Sequence, residues 1–149
     1  MPFSVDKIRS LPVIVFVQSR SQARAEAPSA LGRLIPLLDE QPDPAFLIMD
    51  LRRLGISLAE LAGGSDCGAL RPDALVYHRK LREALIVSAD GEAAPGQDSP
   101  RTAVFGSARL KVFDAPAEAV DYCRRQIGRT PRQGASGTGR LFGRVADRL

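Results

Sequence analysis

The chain has 149 residues, with 21 Lys and Arg against 17 Asp and Glu, 44% hydrophobic and 26% charged. That length suits one domain whose core needs no disulfide or metal staple. The ordinary composition excludes collagen, coiled coil and a wholly disordered chain. The longest near-continuous apolar run, Leu11 to Val17, is about a third of the ~20 residues a membrane helix needs. No basic stretch followed by an apolar core and cleavage site opens the chain. Cys67 and Cys123 have no C-x-x-C partner, so both read as reduced thiols of a cytoplasmic protein with no integral membrane segment.

The net charge of +4 divides unevenly. Residues 124–149 hold seven arginines and one acid, Asp147, for a net +6; residues 1–123 hold 14 bases and 16 acids, for −2. The body therefore has no global pull toward nucleic acid, and the basicity belongs to the tail.

Taken in chain order, Pro2 to Asp6 alternates as a short edge strand. Leu11 to Val17 is a β-branched run typical of a strand buried on both faces. The two would form a hairpin, although no N-G or D-G turn marks it. Ala27, Ala30/Leu31, Leu34/Ile35 and Leu38 recur at helical spacing, predicting an amphipathic helix over about 21–40. In it Pro28 begins the main part and Pro36 makes a kink. Gln41-Pro42-Asp43-Pro44 stops it. Ala45 to Asp50 is a second buried strand with a carboxylate at its end, and Ser57-Leu58-Ala59-Glu60 has the capping-box pattern of a short helix.

A helix is expected from about Pro72 to Arg82, carrying Leu75, His78 and Leu81 on one side, then a core strand over Ala84 to Ser88. Residues 90–100 predict a mobile polar loop. Arg101 to Ala108 is expected as a short helix, and Leu110 to Phe113 as a last strand near an edge. Asp114 to Glu118 opens a final helix buried through Ala119/Val120, Cys123 and Ile127, with Gly128 as its terminator. Residues 128–139 have almost nothing to bury, which predicts disorder. The expected fold is α/β: a mostly parallel central sheet of four or five strands flanked by helices over 1–127, with a disordered basic tail over 128–149.

Three local patterns carry a resemblance to a known family. These are the strand Phe46-Leu47-Ile48-Met49-Asp50 after a proline-rich break, the core strand Ala84 to Ser88, and the segment Arg109 to Val120. Together they resemble the STAS-like superfamily, the anti-sigma-factor antagonists with their SpoIIAA-like and CRAL-TRIO-related relatives, over about residues 3–127. The resemblance implies a STAS-like fold and protein partners. In the signalling members a serine two positions after the strand-end aspartate is phosphorylated; here that position is Arg52. Arginine takes no phosphate, and its charge has the opposite sign. The switch is absent, or moved to Ser57, whose plain role is an N-cap.

Little else in the chain points to chemistry. His78, the single histidine, sits among apolar neighbours as a structural residue would; a Cys67–His78 nucleophile–base pair is the sharper alternative. One histidine and two scattered cysteines fall short of a zinc site's four N/S ligands. Asp50 stands where open α/β sheets put functional acids; Glu60, Asp66 and Asp73 would have to join it to hold a cation. Gly63 to Gly68 and Gly134 to Gly139 lack the G-K-[ST] ending of a P-loop. Arg140, Arg144 and Arg148 recur every four residues, with Leu141, Val145 and Leu149 one step on. Such a segment would suit anionic lipid, a partner groove or nucleic-acid phosphates, and would order on contact.

The expectation is a non-catalytic protein-interaction module without cofactor or metal, open to homo-oligomer formation. Its contact residues would be Asp50, Arg52, Arg53 and Ser57, with a second contact through Arg140, Arg144 and Arg148. A binding module for a small apolar or lipid ligand would need a cavity beneath residues 57–82. An enzyme would need Asp50, Asp66 and His78 to converge.

Overall fold

In a computed structural model the described residues are 3–19, 26–63, 70–89 and 101–129. Six strands and three helices follow one another as β1 (Phe3–Lys7), β2 (Val13–Ser19), α1 (Glu26–Asp39), β3 (Ala45–Arg53), α2 (Leu58–Ala62), β4 (Leu81–Val87), β5 (Arg101–Phe105), β6 (Ala108–Phe113) and α3 (Pro116–Arg129). The chain is thus α/β, with one sheet in the order β1-β2-β3-β4-β6-β5.

That sheet is mixed, which corrects the expectation of a mostly parallel one with four or five strands. β2, β3, β4 and β6 run parallel, whereas β1 pairs antiparallel with β2, and β5 with β6. The expected N-terminal hairpin is present, closed by a turn with Ser10 at φ 66. Lys7 steadies that turn, its Nζ donating to the Ile8 and Leu11 carbonyls.

The second antiparallel pair arises where a helix was expected at 101–108. Arg101 to Phe105 alternates around β-forming Thr102 and Val104, and Gly106-Ser107 is a two-residue connection. Gly106 has φ +60 while Ser107 stays outside the left-handed region, the pattern of a type II′ hairpin turn. The helix expected over 72–82 is absent too. Residues 70–80 are a turn-rich segment seating Leu70, Pro72 and Leu75 in the core, and β4 already begins at Leu81.

Alternation along the strands divides the core in two. On one face Ile14, Phe16, Leu47, Met49, Ile86, Phe105 and Val112 meet Ala30, Leu34 and Leu38 of α1, Leu58 and Leu61 of α2, and Leu70 and Leu75. Both crossover helices of the β2–β3 and β3–β4 connections lie on this face, as right-handed crossovers in one direction require. On the other face Val13, Phe46, Ile48, Leu85, Val87 and Phe113 meet Ala119 and Cys123 of α3.

α1 continues past Pro36 to Asp39, although proline withholds one backbone donor there. α3 runs through Gly128 to Arg129, so Gly128 is not its terminator. No helix among the described residues is long and apolar enough to cross a membrane. The expected loop at 90–100, the tail beyond 129, and Cys67 and Asp66 lie outside the described residues.

Candidate functional site at the carboxyl end of β3

The four parallel strands end together, and their carboxyl ends carry the buried polar residues Gln18, Asp50 and Ser88. Their side chains serve different faces. Gln18 shares the face of Ile14 and Phe16, where its amide forms a closed pair with the Leu70 backbone: Nε2 donates to the Leu70 carbonyl and Oε1 accepts from the Leu70 N–H, both at 2.8 Å. This clamp fixes Leu70 against the end of β2.

Asp50 falls on the α3 face, in line with Phe46 and Ile48, and is 4% exposed. Arg52, two residues on, lies on the same side and turns back over it. Its Nε donates to Asp50 Oδ1 at 2.9 Å and its Nη2 to Oδ2 at 2.8 Å. The Arg52 backbone N–H adds a third bond to Oδ1 at 3.1 Å. A planar guanidinium matches a carboxylate in this two-pronged way, which a lysine would not. The hydrogen bonds and charge of Asp50 hold the Arg52 guanidinium above the ordinary arginine range. Arg52 keeps 43% of its side chain exposed, and the neighbouring Arg53 is exposed as well.

After the Gly55 turn (φ 83), Ser57 starts α2 with the capping box expected from the sequence. Its Oγ accepts from the Glu60 N–H at 3.0 Å, and Glu60 Oε1 accepts from the Ser57 N–H at 3.2 Å. Asp50, Arg52, Arg53 and Ser57 therefore follow one another along a single strand end and helix start. Arg140, Arg144 and Arg148 lie outside the described residues.

The other sequence candidates do not join this site. His78 precedes β4 at the opposite end of the sheet; Asp50 pairs in register with Val87, six residues beyond Leu81, or about 20 Å along the strand. Its Nε2 stands 3.1 Å from Asp39 Oδ1, and its Nδ1 accepts the Lys80 N–H at 3.0 Å. These bonds set the tautomer with hydrogen on Nε2 and make His78 a tie between α1 and the start of β4. Asp73 pairs with Arg71 at 3.2 Å beside the Gly106 turn, and Glu60 belongs to the capping box. Among the described residues no group of three or more His, Cys, Asp or Glu is placed to hold a metal. Cys123 on α3 is fully buried against the sheet, and burial pushes its thiol up to about 12, so no thiolate forms at neutral pH.

Sequence reasoning missed three polar arrangements. Glu83 on β4 accepts the Tyr122 hydroxyl at 2.8 Å and pairs with Lys111 of β6 at 3.2 Å, holding α3 to the sheet. Arg82 lies over the Phe46 ring at 4.9 Å and donates to the Gln126 carbonyl near the end of α3. At the carboxyl end Arg101 ties the Ser88 carbonyl to the Asp114 carboxylate. Reading β4 back to Leu81 would have exposed the first pair, since Glu83 then alternates onto the α3 face with Leu85 and Val87.

Fold and site together define an α/β domain with a mixed six-stranded sheet and an arginine-covered carboxylate at its centre. The chain is similar to no protein-family model, no curated protein and no solved structure.

Proposed function

We propose that this chain is a non-catalytic, STAS-like protein-contact module that meets an acidic partner surface at the carboxyl end of β3 and the start of α2. The observation that carries the reading is the Asp50–Arg52 fork. A carboxylate that general-base or cation chemistry would need is covered on both oxygens by Arg52, while Arg53 beside it offers an exposed positive charge and Arg52 an exposed guanidinium edge. In the resembling signalling proteins this position gains negative charge by phosphorylation. Here a permanent positive charge stands there, which suits a constant contact rather than a switched one. α2, held by the Ser57–Glu60 box, forms the rigid shoulder of the surface. The tail arginines Arg140, Arg144 and Arg148 add a salt-sensitive attraction to the same kind of partner.

The test is a set of matched pull-downs from the native host with quantitative mass spectrometry. It compares wild type, the double variant Arg52→Gln/Arg53→Glu, and the distant control Arg125→Glu, each checked for folding by circular dichroism. The expected result is a protein retained by wild type and control and lost by the double variant. Retention of the same proteins by all three would overturn the reading. So would copurification of a small molecule without any protein.

A further inference from the structure

Helices cover the two faces of the sheet unequally. α1 and α2 share one face, whereas α3 packs on the other over β3, β4 and β6. The difference shows on β2. Ile14, Phe16 and Gln18 are buried on the α1 side, but Val15 and Val17 on the α3 side are only half-buried. β1 continues that side outward: Ser4 pairs in register with Val17 and Asp6 with Val15, and both are exposed. α3 forms the opposite wall. Its Tyr122 turns to Glu83 and Lys111 of β4 and β6, so Val120 and Ile127, on the other flank of the helix, turn toward β2. Ile8 and Leu11 of the β1–β2 turn close one end, half-buried like the rest. Between α3 and the hairpin runs a shallow apolar trough with Asp6 on its outer rim.

We infer that residues 140–149 of the same chain dock in this trough as a short amphipathic helix antiparallel to α3. α3 ends at Arg129, at the amino end of the parallel strands, where Arg82 meets the Gln126 carbonyl and where the β1–β2 turn also lies. Residues 130–139 span up to about 36 Å when extended, or ~18 Å as a flexible coil, so Arg140 reaches the trough without strain. Of the other segments outside the described residues, 20–25 leads to α1 and 64–69 to Leu70, both on the opposite face, and 90–100 joins β4 to β5. In a helix Leu141, Phe142, Val145 and Leu149 make one apolar stripe, and Arg140, Arg144 and Arg148 the next. Handedness then sets which side each stripe takes. With right-handed crossovers on the α1 face, a helix running from the amino to the carboxyl end, apolar stripe down, turns its arginines toward β1 and Asp6. Gly143 and Ala146 fall on the α3 side, where small side chains leave room for Arg124. Tethering supplies an effective concentration in the millimolar range, which lets a helix too short to persist alone in water form on contact.

Paramagnetic relaxation on the full isotope-labelled chain tests this. In a Cys67→Ser background, Asp147→Cys carries a nitroxide on the solvent side of the docked helix. The expected result is at least halved amide intensity in β1, β2 and α3 around Val120, restored by adding Leu141→Asp/Val145→Asp. A second measurement needs no label: amide exchange in the β1–β2 hairpin should be at least fivefold faster in Leu141→Asp/Val145→Asp than in wild type, with α1 unchanged. Intensity loss centred on Val104 or on the α1 face, spread evenly over the surface, or absent overturns the inference, and so does unchanged exchange. Equal loss when nitroxide and isotope sit on different chains overturns it too, since the segment then docks on a second copy.

Discussion

The two faces of the sheet are held by different means. Among the described residues, the face under α1 and α2 buries twenty core side chains, whereas the face under α3 buries eight. The first is apolar nearly throughout, with Gln18 as its buried polar clamp. The second is fastened largely by charge and hydrogen bonds, Glu83 with Tyr122 and Lys111 and Arg82 over Phe46 to the Gln126 carbonyl, and it also carries the Asp50–Arg52 pair within β3. One layer thus depends on packing, which tolerates few volume changes, and the other on polar pairs, which depend on pH and on partners being present.

The sharpest way to break the apolar face is Phe16→Ala. Phe16 is fully buried on β2 and packs its ring 5.6 Å from that of Phe3. Its removal leaves a cavity and is expected to cost about 3–5 kcal/mol, measured by urea unfolding. On the polar face the matching experiment is Arg52→Ala, which strands the buried Asp50 carboxylate. It should lower the unfolding midpoint, and adding Asp50→Asn should recover most of the loss, because the uncompensated charge is then gone. Additive losses in the double variant would contradict the fork's role.

Alkaline pH should weaken the α3 face selectively. Burial raises the Cys123 thiol from its ordinary 9.0 to about 12. Burial and then Glu83 raise the Tyr122 phenol. Lys111 is raised too: burial pulls it down, but its bonds to Glu83 and its contact with Tyr122 outweigh that pull. In each case the folded state keeps a proton that the unfolded chain has released. Stability is therefore complete below the unfolded value and falls as pH climbs through the folded one, starting near pH 9 for Cys123. Its slope from one such group is at most about 1.4 kcal/mol per pH unit. Cys123→Ala should flatten the limb between pH 9 and 12 in thermal melts. Smallest in effect, Ser57→Ala should cost about 1 kcal/mol through the lost cap.

How much of this was legible in the sequence follows from how local each signal is. The strand at 45–50 and the core of β4 were readable because β-branched and apolar runs buried on both faces need no outside information. The Ser57 box was readable because both of its bonds lie within four residues. The segment 70–80 was not, since Leu75, His78 and Leu81 imitate helical spacing while the tie that seats it comes from Gln18, 52 residues from Leu70. β5 was misread despite a local signal, the Gly106-Ser107 turn between alternating residues. Asp50 was read as the end of a strand that in fact runs on to Arg53, and its cover by Arg52 depends on a side chain folding back, which spacing alone does not reveal.

Native-state amide hydrogen exchange, resolved by residue, tests the unequal fastening most directly. The amides of α3 should open at a lower free energy than those of α1 around Leu34. Glu83→Ala should lower the α3 values further, by about 1 kcal/mol for its lost half-exposed bonds, and leave α1 unchanged. Equal opening energies for α1 and α3, shifted together by Glu83→Ala, would contradict the account.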